Sequence, residues 1–374
     1  MHQKLTLRDF ALVIALLLIC GFFSVMSPDF LSARNLSLLV TELAITATLA
    51  IGMLLVILPG HIDLSAGSGV GLIGGIAAVL ITNHHWPAPF AMLAGLGAAV
   101  ILWLAMGSLI VLERIPAFII TLGGLLVFRG LFWRVINNHT VPVAPGGQSN
   151  VMSLLTTYNL PHFAGYVIAD VIVAALVIAR IRSKQSRRSY GLPVEDGELT
   201  FLKLFLAAQF IFLFVIVTNQ YHGVPFPALV LAAVAGFTWV LTHHTPFGRY
   251  LYAIGGNEEA AVVSGIPVQK ITIAAFVLMG VIVAITGFMQ TAYGGYSTTT
   301  IGELMELDAV AACVIGGVSL KGGRGTVLGV LFGALIMACL INGMTLLAVE
   351  PENKYIARGA VLILAVWMDV RLAK

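Results

Sequence analysis

Residues 257–267, Asn-Glu-Glu-Ala-Ala-Val-Val-Ser-Gly-Ile-Pro, form a polar island between two long apolar runs. Glu258 and Glu259 suit the positive end of a short helix, and Gly265 suits a left-handed termination of that helix. The island therefore predicts a short helix within a loop that joins two membrane spans. Because a connecting loop needs no helix of its own, we interpret this one as a docking element for a soluble partner.

The composition of the whole chain places it in a membrane. Hydrophobic residues make up 59% of the 374 residues and charged residues only 10%, and the mean hydropathy is +1.00. A soluble domain needs far more charge on its surface. Backbone groups in lipid must be satisfied within each segment, and the alternating pattern of a barrel is missing. The chain is therefore predicted to be a single all-α polytopic membrane domain over residues 1–374.

Apolar runs of spanning length recur along the chain and predict about twelve transmembrane or re-entrant helices. They lie near 11–27, 36–58, 66–82, 90–112, 117–136, 163–180, 201–218, 226–242, 271–291, 307–319, 326–347 and 356–371. The run at 307–319 is short for an upright span and predicts a half-helix that enters from one side.

The distribution of lysine and arginine predicts the orientation of these helices. The strongest basic cluster comprises Arg180, Arg182, Lys184, Arg187 and Arg188. It places the 182–200 loop in the cytoplasm, whereas the 137–162 loop has no charged residue, as expected outside. Counting spans from these loops places both termini and the 243–270 loop in the cytoplasm. Arg34 falls on the outer side and is the exception.

Two glycine-rich tracts interrupt the apolar runs. The first, residues 59–68, carries Asp63, Ser65 and Ser68, and its proline and glycines free backbone groups close to the membrane. One interpretation is a pathway or gate element; the other is an ordinary turn in which Ser65 caps the next helix. The second tract, residues 315–326, has the wrong spacing for a phosphate cradle and predicts a tight turn.

Three polar residues within or beside apolar runs are further candidates for the pathway. Arg129 either faces the bundle interior or extends to the membrane surface. Asn342 either contacts a ligand or makes a hydrogen bond between helices, and Asp308 either serves the pathway or caps a short apolar run.

Several types of chemistry have no support in the sequence. The chain lacks the G-x-x-x-x-G-K-[ST] phosphate loop, so any ATP must be bound by another chain. It shows no catalytic triad, paired carboxylates or metal-ligand set, so we predict neither an enzyme nor a metal site. A net charge of +3 gives no indication of nucleic-acid binding. Cys20, Cys313 and Cys339 all lie in apolar runs and read as small buried hydrophobic residues.

Several motifs resemble one family. Glu259-Ala260-Ala261-x-x-x-Gly265 is similar to the E-A-A-x-x-x-G coupling loop of ABC importer permeases, and residues 248–257 resemble the lead-in of the ribose, xylose, galactose and arabinose group. Other tracts that resemble this group are Ile62-Asp63-Leu64-Ser65-x-Gly67-Ser68, Pro116-x-Phe118-Ile119-x-Thr121-Leu122-Gly123, Phe128-Arg129-Gly130 and Glu306-Leu307-Asp308-Ala309-x-Ala311-Ala312. The extra segments near 163–180 and 201–218 resemble the xylose branch, which implies a ten-helix core with two inserted helices.

This resemblance implies a mechanism and a set of partners. The chain would be the permease of an ATP-driven monosaccharide importer, most similar to those for xylose, in a bacterial inner membrane. A separate ABC ATPase would bind ATP and magnesium, a periplasmic or extracellular sugar-binding protein would deliver the cargo, and a second permease copy would complete a homodimer in the lipid. No cofactor would be bound by this chain itself.

The resemblance also implies roles for individual residues. The predicted contacts with the ATPase are Gly248, Arg249, Asn257, Glu258, Glu259, Ala260, Ala261 and Gly265. The candidate residues of the translocation pathway are Asp63, Ser65, Ser68, Thr121, Arg129, Asp308 and Asn342.

Two alternatives stay open at this point. The same machinery could carry another neutral solute, such as a different sugar, a furanone signal, a nucleoside or a branched-chain amino acid. An ion-coupled secondary transporter would instead depend on an intramembrane acid such as Asp63 and would work without an ATPase.

Overall fold

The computed structural model describes residues 7–194 and 196–372, and helices make up most of them. Helices α1 to α5 are Leu7–Met26, Ala33–Ile57, Ala66–Thr82, Ala88–Leu112 and Ala117–Val135. Helices α6 to α10 are Val151–Thr157, His162–Ser189, Gly197–Asn219, Phe226–His244 and Pro246–Gly256. Helices α11 to α15 are Glu258–Val263, Val268–Gly294, Met305–Ile315, Val327–Leu346 and Pro351–Leu372. Two short strands, β1 and β2, are Val141–Pro142 and Tyr296–Ser297.

Each of the twelve predicted segments coincides with one of these helices, and the prediction of an all-α polytopic membrane protein is confirmed. In the described part of the chain, eight helices are long and apolar enough to span a membrane: α2, α4, α5, α7, α8, α9, α12 and α14. Helix α3 is apolar but has 17 residues, and α13 has 11. The short helix predicted at 307–319 is therefore present, and it begins only after an irregular stretch that follows β2.

Helix α2 forms the centre of the bundle. It is buried along most of its length and packs against α9, α12, α13 and α14. Helix α12 completes the core by packing against α3 and α4. The central position of α2 follows from its composition, because residues 43–57 are all alanine, glycine, threonine, methionine or aliphatic residues and leave no polar face for solvent.

The uncharged 137–162 region folds into a cap at one end of the bundle. Strand β1 pairs antiparallel with β2, with Val141 opposite Ser297, and Pro145–Gly147 makes a short 3-10 turn. Helix α6 follows and begins with a capping box between Asn150 and Ser153. The cap packs on α12, α4 and α9, so it joins segments that are far apart in the sequence.

The predicted boundaries of the basic 182–200 loop are wrong. Helix α7 continues through the basic cluster to Ser189, and α8 begins at Gly197. Lysine, arginine and glutamine are good helix formers, and basic side chains are favourable at a helix C-terminus. The helix therefore continues beyond the apolar run, and ends where Gly191 adopts a φ of +65°.

Helices α7 and α8 form a hairpin with its own small core. Leu160, Ala169, Val215 and Val224 are buried between the two helices and the adjoining loops, and α8 also contacts α2. These are the two helices that the sequence suggested as inserted. The predicted cytoplasmic position of both chain ends falls partly on residues 1–6 and 373–374, which lie outside the described residues.

Candidate functional site

The polar loop between α9 and α12 folds into two short helices. The Thr245 hydroxyl begins α10 by accepting a hydrogen bond from the backbone N–H of Gly248, at 3.3 Å. Helix α10 buries Leu251 and Ile254 against the bundle, whereas Arg249 is exposed. Gly248 itself lies on the backbone of the last turn of α9. The loop is thus fixed to the membrane part on one face and open on the other.

Helix α11 has the form that the sequence predicted. The side chain of Asn257 caps it by accepting a hydrogen bond from the N–H of Ala260 at 2.9 Å, and exposed Glu258 and Glu259 occupy its first turn. Gly265 follows with a φ of +78°. The predicted helix and its left-handed glycine stop are confirmed.

The outer surface of α11 is partly apolar. Ala261 is buried against the rest of the protein, but Val262 and Val263 point outward, and Val263 is 88% exposed. Two adjacent exposed valines beside two carboxylates make a mixed surface of the kind that partners cover.

Three chain segments meet behind α10 through backbone contacts. The carbonyl oxygen of Leu58, at the end of α2, accepts a hydrogen bond from the N–H of Gly323 at 2.9 Å. Gly255 packs directly on both groups, and the Tyr252 hydroxyl donates to the carbonyl of Gly325 at 2.8 Å. The end of α2, the 315–326 tract and α10 therefore form one junction, which we call the glycine junction.

Asp63 lies at the centre of the break between α2 and α3. It is fully buried, and its Oδ1 accepts hydrogen bonds from the backbone N–H of Ser65 at 2.9 Å and from the Ser65 hydroxyl at 2.5 Å. Its Oδ2 accepts a hydrogen bond from the indole N–H of Trp103 on α4 at 2.7 Å. The carboxylate thus ties the break to α4.

Two neighbouring candidates belong to the same cluster. Ser65 stands at the N-cap position of α3 but makes no capping hydrogen bond, so the predicted cap is wrong; its hydroxyl donates to Asp63 instead. The Thr121 hydroxyl, on α5, is fully buried and donates to the carbonyl of Ile62 at 3.1 Å. Asp63, Ser65 and Thr121 therefore come together to fix the break.

Ser68 and Arg129 line a separate pocket between α3, α5 and the stretch that leads into α13. Arg129 Nη2 lies 3.0 Å from Oε1 of Glu303, and its guanidinium lies 5.8 Å from the centre of the Trp133 ring. Glu306 adds a second carboxylate to the wall. This pocket brings together two predicted residues, one acid that precedes α13 and one acid in the first turn of α13.

Asp308 and Asn342 lie outside both clusters. Asp308 does not cap α13, because Leu304 holds the position that precedes the helix and Asp308 lies inside the first turn. It pairs with Arg358 on α15 at 3.4 Å. Asn342 accepts a hydrogen bond from Asn35 on α2 at 2.8 Å. The helix-to-helix interpretation of Asn342 thus agrees with its contacts.

Sequence reasoning missed three polar residues of these sites. Trp103 was hidden within an apolar run, and only the fold shows that its N–H faces Asp63. Glu303 shows no partner in the sequence, since Arg129 lies 174 positions earlier. Glu42, within α2, accepts hydrogen bonds from Tyr293 at 2.9 Å and from Asn342 at 3.4 Å. A carboxylate inside an apolar run was the available signal for Glu42.

The described residues contain no group of three His, Cys, Asp or Glu side chains that could hold a metal ion. The two polar clusters instead offer hydrogen-bond donors and acceptors, and the α11 surface offers a contact for another protein.

Comparison with known proteins adds an independent finding. Residues 35–366 match the model of a family described as branched-chain amino acid transport system / permease component. The chain is 40% identical to the xylose transport system permease protein XylH of Haemophilus influenzae, over 98% of this chain and 97% of the relative. It is 39% identical to XylH of Escherichia coli, over 98% of this chain and 93% of that protein. The ribose import permease protein RbsC of Escherichia coli is 32% identical, over 96% and 92%. No solved structure matches the chain.

Proposed function

Because this chain belongs to the family described as branched-chain amino acid transport system / permease component, we propose that it is the membrane subunit of an ATP-driven importer for a monosaccharide, with xylose as the cargo. The similarity of nearly the whole chain to XylH is the observation that carries the proposal. The ribose permease is similar at lower identity, which supports a sugar over the amino acids in the family description. The chain is a transport subunit and not itself an enzyme.

The α11 surface supports an external source of energy. Exposed Val262 and Val263, next to Glu258 and Glu259, form a small mixed surface on a rigid helix held by α10. An ABC ATPase that docks here would cover the valines and place basic groups near the carboxylates. ATP and magnesium would then be bound by that partner and not by this chain.

The glycine junction supports a route by which docking moves the pathway. Helix α10 contacts the end of α2 and the 315–326 tract through backbone atoms, so we expect these segments to move together. The end of α2 leads to Asp63 and α3, and the 315–326 tract leads back to α13. A displacement of α11 by the ATPase would therefore reach both walls of the pocket near Arg129.

The remaining partners follow from the same proposal. A periplasmic or extracellular sugar-binding protein delivers xylose to the outer cap, and a second copy of this chain provides the other half of the pathway. The assembly sits in a bacterial inner membrane with both termini in the cytoplasm. The absence of charged residues in 137–162 and the basic end of α7 support this orientation.

Glu259→Lys combined with Val263→Asp tests the docking role. Both side chains are exposed, so the bundle should still fold, whereas like charges and a buried acid should weaken the contact with the ATPase. We expect about a tenfold loss of ATPase copurified from membranes and of ATP hydrolysis stimulated by the binding protein. Arg188→Glu, a charge change on exposed α7, is the control. Normal copurification of the double variant would contradict docking at α11.

Two substitutions of Gly265 test whether sugar uptake depends on the backbone conformation that ends α11. The φ of +78° at Gly265 strains any β-branched residue, so Gly265→Val should displace the end of α11 and lower sugar uptake about tenfold. Asparagine tolerates this conformation, and no atom would contact a new Cβ there, so Gly265→Asn should retain most uptake. Equal losses in the two variants would show that backbone conformation is not the cause.

A further inference from the structure

The pocket beside α5 is lined by three charged side chains, although packing inside a membrane protein requires none. Its walls include Ser68, Arg129, Phe132, Thr299, Glu303 and Glu306. In contrast, a second pocket near the start of α14 is lined by glycine, apolar residues and a single threonine. Of these two pockets in the described part of the chain, only the first combines a cation, two acids and two hydroxyl groups.

The Arg129–Glu303 pair is partly exposed in the single chain. The two side chains remain 38% and 37% exposed. Arg129 lies six residues before the end of α5, which corresponds to a depth of about 9 Å along the helix. Partly exposed charges at such a depth face a bundle interior or a water-filled cavity, because contact with hydrocarbon is too unfavourable. We therefore expect the pair to face protein or water and not hydrocarbon.

Glu306 adds an acid without a cation of its own. Only 6% of the residue is exposed, and its carboxylate lies against Gly67, where any side chain would overlap it. In the described parts of the chain no basic side chain lies within salt-bridge distance of Glu306, whereas Asp308, two residues later, pairs with Arg358. The carboxylate is thus held in place by packing and left with acceptor capacity at the pocket wall.

We propose that this pocket binds the hydroxyl groups of a neutral sugar during its passage, with Glu303 and Glu306 as acceptors and Arg129 as donor. Hydroxyl groups both donate and accept, carboxylates only accept, and guanidinium only donates, so this set matches a polyol better than a charged solute. A neutral cargo also leaves the Arg129–Glu303 charges balanced. The proposal rests on the proposed function and assigns the site within this chain that contacts the cargo.

The first test is uptake of labelled D-xylose by vesicles that contain the complete complex with its ATPase and binding protein. Glu303→Gln and Glu306→Gln keep the side-chain shape but weaken acceptance, and we expect each to reduce uptake about tenfold. Stimulated ATP hydrolysis should remain, because the glycine junction is intact. Glu113→Gln, an exposed acid at the end of α4, is the matched control. Wild-type uptake in both pocket variants would overturn the proposal.

The exchange of Arg129→Glu with Glu303→Arg separates a sugar contact from a purely structural ion pair. If the pair is purely structural, the exchange restores the ion pair and with it uptake. If the pair binds sugar, the exchange places the donor where the acceptor is needed and the acceptor where the donor is needed. We expect uptake to stay low in the exchanged variant. Full recovery of uptake would overturn the proposal.

Protection from a thiol reagent provides a readout of occupancy. Thr299→Cys places a thiol at the pocket wall, and modification is compared with the parent protein, which has three native cysteines. D-xylose supplied with the binding protein and ATP should slow modification several-fold, whereas L-leucine should not. Protection by L-leucine alone would assign the pocket to a different cargo, and absence of uptake by the wild-type complex would contradict the proposed function itself.

Discussion

Replacing Gly255 with alanine is expected to abolish sugar uptake. A Cβ at this position would overlap the carbonyl oxygen of Leu58 and the backbone nitrogen of Gly323. These are backbone atoms joined by a hydrogen bond of 2.9 Å, so no rotamer change can make room. Overpacking of this kind costs about 3 kcal/mol, which corresponds to roughly a hundredfold loss of the correctly assembled junction.

Gly256 provides the control for this prediction. It is the next residue of α10, and a Cβ there would meet no atom within 4 Å. Gly256→Ala should therefore transport normally, and both variants carry the same change in helix propensity. Uptake and stimulated ATP hydrolysis would be measured on the same preparations. If Gly255→Ala hydrolyses ATP but does not transport, the junction couples the two processes; if it transports normally, the junction is not required.

The helices could be predicted because their signal is local. Long apolar runs and a few charges decide which segments enter the membrane, and each of the twelve predicted segments is a helix. The end of α7 was misplaced because a basic segment that leaves the membrane does not have to leave the helix. Helix α11 was predicted correctly because Asn257, Glu258 and Gly265 act within a few residues of each other.

The candidate site was less predictable because its contacts join distant parts of the chain. The hydrogen bond from Trp103 to Asp63 spans 40 positions and the pair between Arg129 and Glu303 spans 174. A single sequence indicates that Arg129 needs a polar partner but not which acid supplies it. The capping interpretation of Ser65 failed for a different, local reason: its hydroxyl donates a hydrogen bond to Asp63, two residues earlier, and accepts none from the first turn of α3.

Replacing Asp63 with alanine is expected to prevent assembly of a stable protein. Asp63 is fully buried and accepts three hydrogen bonds, from the N–H and hydroxyl of Ser65 and from the indole of Trp103. Alanine would leave these donors buried without partners, at about 1–3 kcal/mol each. We expect a large fall in the midpoint of thermal aggregation of the detergent-solubilised protein, together with loss of transport.

The pair Asp63 and Trp103 distinguishes this structural role from ion coupling. Asp63→Asn retains one acceptor oxygen and replaces the other with an NH2 group, which is a donor. This donor must then face an existing donor, either on Ser65 or on Trp103. Trp103→Phe removes one of the competing donors. The double variant should therefore be more stable than the sum of the single effects predicts, as expected for residues in direct contact.

An ion-coupled carrier would behave differently in the same experiment. There, Asp63→Asn would abolish transport while the midpoint of thermal aggregation stayed near that of the wild type, and uptake by the wild type would collapse when an ionophore removed the ion gradient. In the importer, the midpoint and transport should fall together in Asp63→Asn and recover together in the double variant. Uptake by the wild type should then require the ATPase and ATP. The buried carboxylate accepts three hydrogen bonds from neutral donors, and in this interpretation it holds the break between α2 and α3 against α4.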